Sequence, residues 1–179
     1  MNRLQLWHEH IFKKDCIYKE QILCVYKLPT LKNIVLNLNN NETKYILSSI
    51  TAIELITNQK PVFYTAKKSI AAFKLRQGSL IGCKVTLRKK YMFDFLELLI
   101  FLVLPKIPNF GGFYNSNLVS NSILSIGLSD LTFFIQISKH SERFQKQCGC
   151  TITFITNTTG YNKQNFILNS FQLPQKKLI

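Results

Sequence analysis

This sequence is short of acid. Only 9 of its 179 residues are Asp or Glu, against 23 Lys or Arg, and the formal net charge is +14. Charged residues make up just 18% of the chain and hydrophobic ones 46%, which excludes a disordered basic tail. The surplus of one sign therefore sits on an otherwise apolar protein. Such a chain repels itself unless a polyanion neutralises it, so nucleic acid or an anionic membrane surface is the expected partner. An acidic small-molecule substrate would not call for so many cations. At roughly 150 residues per domain, residues 1–179 read as a single domain with enough chain for a core.

A long apolar run is also missing. The greasiest stretch, 91–104, ends in seven apolar residues, but Asp94 and Glu97 interrupt it and Pro105 stops it. It falls short of the about 20 apolar residues that span a bilayer and predicts a buried core helix, with no membrane insertion. Glu9, Asp15 and Glu20 break any signal-peptide core, and no acid-free, Arg-rich leader is seen, so the chain is expected to work where it is made. The five cysteines, Cys16, Cys24, Cys83, Cys148 and Cys150, have no metal-finger spacing, and no other Cys or His pair completes a site around Cys148 and Cys150. His8 and His10 would point to opposite sides of a helix. No nucleophile–His–acid set, phosphate-cradling Gly-rich loop or usefully spaced carboxylate pair occurs, so no catalytic residue, metal or cofactor is expected.

Periodicity supplies the elements. Residues 2–25 predict an amphipathic helix with Leu4, Trp7, Ile11, Tyr18 and Ile22 on its apolar stripe. Residues 31–38 alternate, Ile34, Leu36 and Leu38 facing one way and Asn33, Val35 and Asn37 the other. Asn39 and Glu42 have the spacing of a capping box, opening a helix striped by Ile46, Ile50, Ile53 and Thr57 that ends before Pro61. Residues 80–88 alternate again: Ile81, Cys83, Val85 and Leu87 against Lys84, Thr86 and Arg88. Residues 124–128 and 131–137 suggest a hairpin turning at Ser129 and Asp130, 151–156 another strand, 161–171 a short helix, and 172–179 a flexible tail. The sum is an α+β two-layer domain, a mostly antiparallel sheet with helices on one face and a long basic loop.

The charge is concentrated. Between Glu54 and Asp94 there is no acid, yet Lys60, Lys67, Lys68, Lys74, Arg76, Lys84, Arg88, Lys89 and Lys90 fall there. Ordinary solvated surfaces mix signs. Alternation puts Lys84, Thr86 and Arg88 on one sheet face, and Asn37 on the corresponding face of the other strand; a face of this kind suits phosphate and 2′-hydroxyl contacts. Residues 62–82, with Phe63, Tyr64 and Phe73 as expected apolar anchors, predict an extended loop whose positive tip meets a second RNA.

These residues resemble a known family. Gln59-Lys60-Pro61, then Thr65 through Gly78, then Ile81-Gly82-Cys83-Lys84-Val85-Thr86-Leu87-Arg88, are similar to the signature of large-subunit ribosomal protein five, the bacterial-type protein binding 5S rRNA in the central protuberance. Met92, Phe95, Leu104-Pro105, Phe110-Gly111-Gly112, Thr151-Ile152-Thr153 and Phe171 through Pro174 follow in register. The resemblance implies a non-catalytic ribosomal protein of the family's α+β fold. It implies 5S rRNA contacts at Asn37, Gln59 and Thr86, alongside Lys60, Lys84 and Arg88 as candidate rRNA-binding residues. It also implies a loop (Lys67, Lys68, Ser69, Lys74, Arg76, Gln77 and Gly78) turned toward P-site tRNA and a small-subunit head protein, with large-subunit rRNA as a further partner. Asn39, Asn40 and Asn41 replace a glycine-rich turn of the family, and the stretch 117–123 lacks its arginine. Heavy use of Ile, Leu, Asn, Lys and Phe fits an A/T-rich organelle genome, mitochondrial before plastid. Two other classes compete: an organellar RNA-processing factor, which needs a catalytic site not found, and a membrane-surface protein, whose charge would lie along one helix face.

Overall fold

The expected alternation of the first strand is realised. In β1 (Leu31–Asn39) Ile34, Leu36 and Leu38 are buried while Asn33, Val35 and Asn37 are half covered. The structure, a computed structural model, describes all residues except 1, 23, 40–44, 74, 109, 115–117, 121, 145–148, 158–160 and 177–179. Its helices are α1 (Arg3–Trp7), α2 (Lys13–Glu20), α3 (Ile46–Thr57), α4 (Lys89–Leu98), α5 (Ile135–Ser138) and α6 (Tyr161–Ser170). Its other strands are β2 (Val62–Thr65), β3 (Leu80–Leu87), β4 (Phe113–Tyr114), β5 (Leu118–Ser120), β6 (Ile123–Leu128), β7 (Cys150–Thr156) and β8 (Gln175–Lys176). Six strands form a sheet in the order β2-β3-β1-β7-β6-β5, and β4 pairs with β8. The pairs β2–β3 and β5–β6 are antiparallel, β4–β8 parallel, and the fold is α+β as expected. The chain divides into two compact units: Met1–Ile34, Arg88–Ile126 and Thr153–Ile179 in the first, Val35–Leu87 and Gly127–Ile152 in the second.

In the second unit α3 lays Ala52, Ile53 and Ile56 on the sheet side where Cys83, Val85 and Leu87 are buried, and it also packs on α5. The strand faces opposite that core keep their accessibility. The expected capping box is not how α3 begins. Asn39 still belongs to β1, residues 40–44 lie outside the described residues, and Tyr45 occupies the N-cap position without a side-chain cap. Ser48 Oγ and Ser49 Oγ instead donate to the Tyr45 carbonyl. Asn58, with φ of 51°, closes the helix in the left-handed conformation that asparagine tolerates. The expected hairpin over 124–137 is corrected too. Its first half is β6, but Leu131–Phe133 is a 3₁₀ turn and α5 follows. Leu131, Phe134 and Ile137 are the buried residues, and a spacing of three belongs to a helical path, not to a strand.

In the first unit the N-terminal helix is continuous from α1 to α2 through a π-helical turn, His8–Phe12. That wider turn changes which side chains face inward. The expected stripe fails: Ile11 and Tyr18 are exposed, Tyr18 by 83%, whereas His8, Phe12 and Cys16 are buried at steps of four. The rings of His8 and Phe12 join Trp7, Phe93, Phe166 and Phe171 in one aromatic cluster, with His8 stacked on Phe12 at 5.0 Å and on Phe171 at 5.4 Å. α4 also runs into a π turn, Leu99–Val103, before Pro105 ends it. α4 is amphipathic rather than wholly buried, with Met92, Phe93, Phe95 and Leu96 inside and Lys90 and Asp94 exposed, and in the π turn Phe101 and Leu102 are exposed as well. Asp94 and Glu97 form its wet edge, where Asn2 Nδ2 donates to Asp94 at 2.8 Å and Arg3 pairs with Glu97 at 2.7 Å. The tail is held at least through Lys176: Leu173 is buried and β8 pairs with β4, so a loose tail from 172 is not observed, and 177–179 lie outside the described residues.

Candidate nucleic-acid interface

The register of β2 on β3 decides what the open face of the second unit carries. Val62 pairs with Lys84 and Tyr64 with Gly82, so these four share one face. β1 lies on the other side of β3. Tyr64 must cross β3 to reach it, and it crosses over Gly82, the position without a side chain. The phenol donates to Asn37 Oδ1 at 2.8 Å, has the Leu38 carbonyl at 3.3 Å, and also touches Asn39 Oδ1. Burial pushes the Tyr64 phenol above its ordinary value of 10.0, the neighbouring Cys83 pushes the same way, and the Asn37 hydrogen bond acts against both. A Cβ at Gly82 would meet the Leu38 carbonyl oxygen and stand 2.8 Å from Tyr64 Cζ. Backbone cannot give way there as a flexible side chain would. Gly82→Ala is expected to destabilise the protein by about 1–3 kcal/mol, read as a lower urea midpoint; an unchanged midpoint would show that the Leu38 carbonyl and the Tyr64 ring do not close over this position.

Lys84 is exposed and Thr86 half-buried on this same side of β3, opposite the buried Cys83, Val85 and Leu87, as alternation predicts. Asn37 and Thr86 therefore lie on open faces of adjacent strands. Arg88, one residue past β3, is extended and exposed as the N-cap residue of α4, and falls in the first unit. Gln59 follows α3; its amide contacts Thr57 Oγ1 at 3.4 Å and its side chain is half-buried, while Lys60 beside it is exposed. No ion pair among the described residues involves Lys60, Lys84 or Arg88; the pair recorded there is Arg3–Glu97.

The basic loop proves to be a closed extension of the β2–β3 hairpin. The Ala66 amide donates to the Ser79 carbonyl and the Gly78 amide to that of Ala66. Ile70 and Leu75 exchange two backbone hydrogen bonds at 3.0 and 3.1 Å, enclosing a 3₁₀ turn, Ala71–Phe73. Ser69 Oγ donates to the Leu75 carbonyl, and Gly78 takes φ of 81°, a value that suits glycine at the turn with Gln77. Lys67, Lys68, Arg76 and Gln77 are exposed on it; Lys74 lies outside the described residues. The expected anchors are overturned. Phe73 is 71% exposed and Phe63 is exposed as well, while buried Ala66 takes the inward place. Tyr64, expected as an apolar anchor, is a polar element of the sheet face. The signal that could have found it is an aromatic residue facing a glycine across a hairpin, a recurrent cross-strand arrangement.

Among the described residues no group of three His, Cys, Asp or Glu is placed to hold a metal ion. Burial raises the Cys83 thiol to about 11 and that of Cys150 to about 12, so both stay protonated and unreactive. Among the described residues no helix is long and apolar enough to cross a membrane.

Residues 25–76 match the family described as Ribosomal protein L5, and residues 80–175 match the family described as the C-terminus of the same ribosomal protein. The large ribosomal subunit protein uL5m of Reclinomonas americana is 36% identical over 181 residues, covering 99% of this chain and 100% of that protein.

Proposed function

The chain belongs to the ribosomal protein L5 family, a structural constituent of the large ribosomal subunit and not an enzyme, and from that premise we propose that it binds 5S rRNA in the central protuberance through the open sheet face of its second unit. The observation that carries this reading is that face itself: Asn37, Tyr64, Lys84 and Thr86 present donors and a cation where no acid lies between Glu54 and Asp94. Gln59 and Lys60 of the same unit add contacts to this RNA, Arg88 of the first unit is a separate rRNA contact, and large-subunit rRNA is a further partner. The closed hairpin carrying Lys67, Lys68, Ser69, Lys74, Arg76, Gln77 and Gly78 faces P-site tRNA and a small-subunit head protein. The setting is the mitochondrial matrix ribosome, with a plastid ribosome as the alternative; the A/T-rich residue usage supports an organelle genome.

The test is a gel-shift titration of the full chain against a 5S rRNA transcript, with transfer RNA as competitor, at two salt concentrations. Specific binding that resists the competitor is expected, with log affinity falling by about 0.7–0.9 per log unit of salt for each phosphate contacted. Weak binding, equal for both RNAs and abolished by modest salt, would overturn the assignment. Lys67→Ala with Lys68→Ala should leave 5S rRNA affinity within about 2-fold and lower the salt slope for tRNA binding by about 1–2. Equal loss toward both RNAs would remove the division of labour between face and hairpin.

A further inference from the structure

We infer that Tyr64 is a positioning residue for RNA recognition: its hydroxyl fixes the Asn37 carboxamide so that the amide nitrogen faces outward as a pre-set hydrogen-bond donor to a phosphate or ribose oxygen. The inference rests on the sheet-face reading above. An asparagine side chain has one acceptor oxygen and two N–H donors. Tyr64 Oη engages the oxygen at 2.8 Å. Among the described residues no protein group takes Asn37 Nδ2, so none of them competes with an RNA oxygen for its two N–H groups. The phenol is itself well fixed. Its ring lies over Gly82, where only a missing side chain allows passage, and the Leu38 carbonyl stands at 3.3 Å on β1. Burial keeps it protonated, hence a donor, well into alkaline pH.

A hydroxyl has a single proton, yet three oxygens surround this one. The oxygen and nitrogen of an asparagine amide are exchanged by a half-turn. With Asn39 turned to present its nitrogen, Tyr64 accepts from Asn39 and donates to Asn37. One phenol then sets the direction of two carboxamides at the end of β1. Without it Asn37 would sample rotamers, and binding would have to select one of them, a cost that pre-organisation removes.

Tyr64→Phe deletes one oxygen and keeps the ring over Gly82, so the fold is retained; a single cooperative urea transition with the wild-type slope checks this, whatever small drop in midpoint the lost hydrogen bonds cause. The full chain and a 5S rRNA transcript are titrated for wild type, Tyr64→Phe, Asn37→Ala and the double variant, at two salt concentrations. Tyr64→Phe is expected to weaken binding about 3- to 10-fold, Asn37→Ala at least as much, and the double variant no more than Asn37→Ala alone. The salt slope should stay at its wild-type value, because no charge is removed. In Tyr64→Phe the Asn37 side-chain amide resonances should move in the free protein, which a tyrosine acting only on stability would not cause. If Asn37→Ala weakens binding and Tyr64→Phe does not, the positioning role is wrong and the sheet-face reading stands. Additive losses would make Tyr64 an RNA contact of its own and overturn positioning. If neither substitution matters, the sheet-face reading fails, and the inference falls with it.

Discussion

Phe171→Ala is expected to lower the unfolding free energy by about 3–5 kcal/mol, the range for truncating a large buried aromatic ring. The ring is 1% exposed and follows the end of α6, where Gln172 takes φ of 59° and turns the chain. Four aromatic rings surround it: His8 at 5.4 Å, Trp7 at 6.2 Å, and Phe12 and Phe93 at 6.3 Å. Two of these come from the π turn of the N-terminal helix and one from α4, so a single side chain ties three helices of the first unit. Alanine would leave a cavity between elements that cannot all collapse into it, which puts the cost toward the upper part of the range. Phe171→Leu keeps most of the volume and should cost about 1–1.5 kcal/mol. Urea unfolding of the three proteins at one pH measures both differences. A loss below about 1 kcal/mol for alanine would mean that the cluster closes up without this ring.

What can be read from the sequence follows from how local the cause is. Period two in β1 and β3 survives because each strand has one buried and one open side, and the side of Lys84 and Thr86 needs nothing more than counting. The family motif is dense from Gln59 to Gly112, where the chain forms a hairpin, a strand and a helix adjacent in sequence. The failures come from non-local causes. Leu131, Phe133, Ile135 and Ile137 alternate, yet the buried set is Leu131, Phe134 and Ile137, because α3 packs on a helix at this point and not on a strand. The N-terminal stripe falls elsewhere because a π turn shifts the inward face, and nothing in residues 8–12 taken alone announces it. The role of Tyr64 is hidden because it depends on facing Gly82 across the hairpin and on β1 lying beyond. The cations of the hairpin are legible as composition; the pairing of Ile70 with Leu75 that closes the loop is not.

His8 carries the second large effect, a loss of stability on mild acidification. The imidazole is 5% exposed among Phe12, Phe93 and Phe171, and among the described residues its Nδ1 has no hydrogen-bond partner. Burial first, then the Lys13 ammonium, lower its pKa from 6.5 to about 4, with Glu9 pulling weakly the other way. The neutral form is therefore the one the fold holds. Above pH 6.5 both folded and unfolded chains keep His8 neutral and the residue adds no pH dependence. Between about pH 6.5 and 4 the unfolded chain takes up a proton that the folded one refuses, so stability falls as the pH falls. A shift of this size corresponds to about 3 kcal/mol across the window. His8→Phe keeps the ring stack and removes both the titration and the unpartnered nitrogen. The variant should match or exceed wild type at about pH 7.5 and exceed it by about 3 kcal/mol near about pH 4.5. Protonation changes common to the two proteins cancel in the difference. The measurement is a set of urea midpoints at half-unit pH steps. Parallel curves for the two proteins would place the His8 ring in water and the aromatic cluster with it; curves that diverge below pH 6.5 identify a core histidine that fixes the acid limit of the fold.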